Sequence, residues 1–116
     1  MGRKTDHAPK KIHLACILEV SGCGFLNGHT QQMTEQEVSI QFPGLAYPWT
    51  QKPKVGNAGV LTFEFVLYGN PREMLRIPCH VSYVRSIVVG VQINTQALNY
   101  HQQRCFADLL ESEETH

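Results

Sequence analysis

Between Gly59 and Asn94 apolar residues recur at every second position in three successive runs. The last run, Val89-Gly90-Val91-Gln92-Ile93-Asn94, leads into a tail with helical spacing. A period of two turns one face of each run toward a core and the other toward water, the pattern of half-buried strands. In the first run Leu61, Phe63, Phe65 and Leu67 take the inward places, with Thr62 and Glu64 outward. In the second, Leu75, Ile77, Cys79, Val81 and Tyr83 alternate with Arg76, His80 and Ser82, and the third runs from Ile87 to Ile93. Strands so evenly spaced and joined by short turns predict a barrel or a sandwich. Closure removes sheet edges that would otherwise pair with other chains.

The upstream half continues the pattern. Ile12, Leu14, Cys16, Leu18 and Val20 share one parity, and Val38, Ile40 and Phe42 share another. Between them, Ser21-Gly22-Cys23-Gly24 and the Asn27-Gly28 step carry turn chemistry, so a tight hairpin and a strand starting near His29 are expected. Residues 42–57 break any ladder with Pro43-Gly44, Pro48, Pro53 and Gly56-Asn57. A loop of that length in a small domain is functional or disordered. Trp49 within it either caps an open barrel end or, with Tyr47, offers an aromatic anchor to a partner protein. Gly69-Asn70-Pro71 provides another turn. At the end, Asn94 or Thr95 can cap a helix whose stripe is Leu98, Cys105, Phe106, Leu109 and Leu110. The expected fold is mainly β: a six-stranded antiparallel β-barrel with a C-terminal α-helix. Residues 12–116 form one domain and residues 1–11 a flexible basic arm.

Ten basic and ten acidic residues leave no net charge, so no whole-molecule field gathers nucleic acid or membrane. The charges are segregated nonetheless. Arg3, Lys4, Lys10 and Lys11 face only Asp6 in the arm, and Asp108, Glu111, Glu113 and Glu114 crowd the tail, where the helix dipole disfavours them and promotes fraying. The four cysteines lack framework spacing and are expected as buried reduced thiols. Zinc-type paired Cys-x2-4-Cys spacing is missing, so no metal site is expected. Neither a signal peptide nor a spanning segment is read, which sets the expected location as the cytoplasm, without membrane insertion. His80 beside Cys79 is no nucleophile–base pair, because neighbours on a strand point to opposite faces. With no Ser/His/Asp order or phosphate loop either, there are no catalytic candidates and the chain reads as non-enzymatic.

The order of basic arm, strand, hairpin, two long antiparallel strands, Val-Gly-Val-Gln strand and helix resembles the PilZ family of bacterial cyclic di-GMP effector domains. The closest stretch runs from Gly59-Val60-Leu61-Thr62-Phe63-Glu64-Phe65 through Pro78-Cys79-His80-Val81-Ser82-Tyr83-Val84 to Val89-Gly90-Val91-Gln92-Ile93. The resemblance spans roughly residues 7 to 110. In that family, arginines four apart just before the first strand grip phosphates, and an Asp/Asn-x-Ser-x-x-Gly turn reads the guanine edge. Here the arginine places fall on His7 and Lys11, and the turn reads Gln32-Met33-Thr34-Glu35-Gln36-Glu37. Thr34 keeps a hydroxyl and Gln32 an acceptor, but Glu37 adds bulk and negative charge where the family has Gly. Lysine also forfeits the planar fork of arginine. Charge-assisted contacts are worth roughly 1.5–3 kcal/mol each, so losing several weakens binding by orders of magnitude.

The resemblance therefore implies a PilZ-like adaptor of cyclic di-GMP signalling that works through protein contacts, in a motility, type IV pilus or exopolysaccharide system. The alternative is an effector that holds cyclic di-GMP through a non-standard arm and turn: Arg3, Lys4, His7, Lys10, Lys11, Gln32 and Thr34. Cyclic di-GMP is then the ligand, and no resident cofactor is expected. An RNA-binding small barrel would need a basic groove interleaved with exposed aromatics. The mixed outward positions lack that pattern, and nucleic acid is not an expected partner. Surplus apolar surface on the helix could pair two copies as a homodimer.

Overall fold

A computed structural model describes residues 9–42, 53–66 and 72–111. Its strands are β1 (Lys10–Lys11), β2 (Ala15–Val20), β3 (Gly24–Met33), β4 (Glu37–Gln41), β5 (Ala58–Val66), β6 (Arg72–Arg85) and β7 (Val88–Ile93). A 3-10 turn, Thr95–Ala97, and helix α1, Tyr100–Glu111, follow. Every pairing is antiparallel. The sheet runs β3-β2-β5-β6-β7-β4, and β4 pairs back onto β3, so β2 to β7 close a six-stranded barrel. The expected fold class is the observed one.

Alternation fills the interior. Leu18 on β2 lies opposite Leu61 on β5, which lies opposite Ile77 on β6, and all three are fully buried. Phe106 from α1 reaches the same core, with its ring centroid 6.4 Å from that of Phe63. Cys105 and Leu109 accompany it, so the helix buries the stripe that its spacing indicates. All four cysteines are free and buried. Among the described residues, no helix is long and apolar enough to cross a membrane.

The structure corrects several local readings. The strand expected from Ile12 is interrupted: Lys10 and Lys11 form β1 beside β3, and β2 starts only at Ala15. Buried Thr30 stitches the gap, its hydroxyl donating to the Ile12 carbonyl and accepting from the Leu14 amide at 2.8 Å. Asn27-Gly28 is no turn. It lies within β3 opposite Ile17 and Cys16, and the chain reverses instead around Gly22, whose φ is 81°. Gly28 is there for close approach, because a Cβ would stand 2.7 Å from the Phe42 ring. Asn94 caps the 3-10 turn, its side chain accepting from the Gln96 amide. The α1 cap is Asn99: its side chain accepts from the Gln102 amide at 2.8 Å, and the Gln102 side chain accepts from the Asn99 amide at 3.1 Å. This reciprocal pair is a capping box with Asn in the Ser/Thr place.

Candidate functional site

Two β-bulges shape one outer face of the barrel. Gln31 is the extra residue where β3 shifts against β4, and Ser82 is the extra residue where β6 shifts against β7. A bulge bends its strand and re-aims the residues that follow. On β6 the effect is direct. Sequence alternation places Tyr83 inward after Val81, but the Ser82 bulge turns it outward, opposite Gly90. The ring lies against Gly90 so closely that a Cβ there would fall 2.1 Å from it. The Arg85 guanidinium sits over this ring, 5.5 Å from its centroid.

Register then aligns a continuous lateral row across five strands: Lys11, Gln32, Ser39, Gly90 and Tyr83. Pro9, Gln32, Met33, Thr34, Glu37, Ser39 and Tyr83 line a shallow hollow of about 60 Å³ along it. The arm and turn positions named from the sequence therefore do meet in part: Lys10 lies opposite Met33, the residue before Thr34, and Lys11 lies opposite Gln32. Arg3, Lys4, His7, Tyr47 and Trp49 lie outside the described residues.

Two polar groups of the hollow, on Thr34 and Glu37, already have partners. The Thr34 hydroxyl accepts from the amides of Gln36 at 3.1 Å and Glu37 at 2.9 Å, which closes the turn between β3 and β4. The Glu37 carboxylate accepts from the Ser82 hydroxyl at 3.1 Å, so it leans across the strand row toward the β6 bulge. A typical small-molecule pocket occupies roughly 300–1,000 Å³, well above this hollow.

A larger groove of about 800 Å³ lies along β2, β3, β5 and β6. Ile17, Val66 and Met74 line it and are 42%, 62% and 52% exposed, which makes an apolar surface unusual for strand faces turned to water. Arg72 and Glu64 pair at its rim, 3.0 Å apart. The signal for this groove in the sequence is that Ile17, Val66 and Met74 all break the outward-polar alternation.

A third group forms where α1 meets β6. His101 Nε2 stands 3.5 Å from Cys105 Sγ and 3.4 Å from a carboxylate oxygen of Glu73. Burial first, then the charges of Glu73 and Asp108, push the Cys105 thiol above its ordinary range. The missed signal is a His-x3-Cys pair: residues four apart on a helix share a face.

The architecture has a solved counterpart. The structure of the PilZ domain of CeSA, from a cellulose-synthesizing bacterium, is similar with a TM-score of 0.59 at 13% identity, covering 89% of this chain and 94% of that one. No family model matches the sequence, and no curated protein is similar to it. The fold is PilZ-like.

Proposed function

We propose that the chain is a PilZ-like regulatory domain of bacterial cyclic di-GMP signalling that acts through protein contacts and holds the nucleotide weakly at best. One observation carries this reading: where a PilZ ligand would meet the arm and turn, the Thr34 hydroxyl is committed to its own turn and the Glu37 carboxylate lines a hollow of about 60 Å³. A carboxylate beside a dianionic ligand is repulsive, and a lysine arm lacks the bidentate grip that would offset it. The apolar groove around Ile17, Val66 and Met74 is the natural protein-facing surface, since exposed patches of this kind mark interaction sites. The partner belongs to the class served by PilZ-like adaptors, in pilus, motility or exopolysaccharide systems, and the domain works without catalysis.

A second reading has its own support. Lys10 and Lys11 are paired beside Met33 and Gln32, so the arm does reach the turn and could hold cyclic di-GMP in a non-standard way. Calorimetry separates the two. On the adaptor reading the unmodified chain gives no heat at high micromolar cyclic di-GMP, and the Lys11→Arg, Glu37→Gly double variant gains measurable binding. Sub-micromolar binding by the unmodified chain would overturn the adaptor reading. For the protein-facing surface, Met74→Glu should abolish capture of a specific partner while leaving thermal stability unchanged. Undiminished capture would move the contact elsewhere.

A further inference from the structure

Glu73, His101 and Cys105 come from two elements far apart in sequence, yet one ligand atom from each lies within 4.8 Å of the others. Zinc bonds imidazole nitrogen and carboxylate oxygen at roughly 2.0–2.2 Å and thiolate at roughly 2.3 Å. At tetrahedral angles those lengths place nitrogen about 3.5 Å from sulfur and about 3.4 Å from oxygen. The observed separations are 3.5 Å for His101 to Cys105 and 3.4 Å for His101 to Glu73. Two edges of a coordination tetrahedron are thus present, and the third, Glu73 to Cys105, lies within 4.8 Å.

We propose that Glu73, His101 and Cys105 form a binding site for a zinc-class divalent cation that ties α1 to β6. One nitrogen, one oxygen and one sulfur donor select zinc, cobalt or nickel over the hard cations magnesium and calcium. The local charge is mixed: Glu73 contributes a carboxylate to the group and Asp108 follows Cys105 by three residues, while the neighbouring Arg104 guanidinium opposes them. Access is open from one side, because the His101 side chain is 70% exposed and Glu73 22%, while Cys105 is buried against the barrel. Three protein donors leave a fourth position for water. Since the helix otherwise relies on the Cys105, Phe106 and Leu109 stripe, a bound ion would fasten its first turns to the barrel wall. A His–Glu ion pair with an adjacent thiol gives the same separations without any metal, and that is the competing account.

The experiment uses the full, reduced chain without a histidine tag, stripped of metal and titrated with Co²⁺ as a spectroscopic probe. Expected are the intense visible bands of tetrahedral cobalt and a near-ultraviolet thiolate charge-transfer band, both displaced by equimolar Zn²⁺. Cys105→Ser should abolish the charge-transfer band. His101→Gln, at an exposed position that folding tolerates, should weaken cobalt binding by at least the roughly tenfold loss typical of disturbing even an outer-shell partner, and Glu73→Gln likewise. Zn²⁺ should raise the Tm of the unmodified chain but not that of His101→Gln, by mass action on the folded state. A wild-type spectrum of aquo-cobalt alone overturns the proposal and leaves the ion pair. So does a charge-transfer band that survives Cys105→Ser, or tetrahedral bands undiminished in His101→Gln.

Discussion

The β2–β5–β6 wall and the β3–β4–β7 wall are built from the same kind of strand but differ in regularity. β5 and β6 pair from Ala58–His80 to Val66–Arg72 without a register shift, and β2 and β5 are equally continuous. The opposite wall carries the Gln31 bulge between β3 and β4, and the Ser82 bulge falls at the seam where β6 joins that wall through β7. An unbroken ladder keeps each inward residue inward, so its face is fixed by packing alone. A bulged ladder releases particular residues from that constraint, and here it delivers Tyr83 and Gln32 to one polar row with Ser39 and Lys11. The regular wall keeps its faces by packing; the irregular ladders re-aim residues onto a polar row.

If that division is right, the largest losses come from the regular wall. Leu61→Ala leaves a cavity between Leu18 and Ile77, all fully buried, and should cost about 2–5 kcal/mol in urea unfolding. A loss below 1 kcal/mol would mean that the wall collapses around the hole and is less rigid than its register implies. Alkaline pH attacks the same wall next. Burial pushes the Cys16 thiol on β2 up to about 12, with a backbone hydrogen bond to Gly28 as a smaller lowering influence, and pushes Cys79 on β6 to about 11, both from 9.0. The unfolded chain therefore sheds these protons first. Their stabilising contribution is full below pH 9 and is lost as pH rises through the folded values, by at most about 1.4 kcal/mol per pH unit for each thiol. Measured between pH 9 and 11, Cys16→Ala should flatten this slope whatever it does to absolute stability, and an unchanged slope would refute the assignment.

Much of the regular wall was legible because burial there follows sequence parity: Leu61, Phe63, Leu75, Ile77 and Cys79 all face inward as their spacing indicates. The irregular wall was not. A bulge inserts one residue without altering local composition, so Val81, Ser82 and Tyr83 read as continued alternation until the partner strand is known. Gly28 is equally ambiguous, since a glycine after asparagine suits a hairpin turn and also suits close passage beneath Phe42. Of the candidate site, the meeting of Lys10 and Lys11 with Gln32 and Thr34 came from family resemblance rather than from any property of those residues. The Glu73, His101 and Cys105 group is not legible in the sequence as a set of three, because Glu73 arrives from a distant strand.

Smaller effects test the irregular wall. Gly90→Ala must displace the Tyr83 ring, which is half-buried and able to swing, so a loss of about 1–3 kcal/mol is expected from overpacking. Tyr83→Ala in the same background should restore part of that loss, and a double-mutant cycle in denaturant measures the coupling. Full additivity would show that the ring does not bear on Gly90.

The smallest change falls at the turn. Thr34→Ala removes the acceptor for the Gln36 and Glu37 amides, but both lie where water can replace it, so the cost should be about 0.5–1.5 kcal/mol. Thr34→Ser retains the hydroxyl and should stay within a few tenths of a kcal/mol of the unmodified chain. The pair gives the comparison its sharpest form. If Thr34→Ala costs as much as Leu61→Ala, the turn belongs to the scaffold and the two walls do not divide their work. If it costs little, Thr34 can be varied freely in nucleotide titrations, and any change in cyclic di-GMP binding then reports on the hollow rather than on folding.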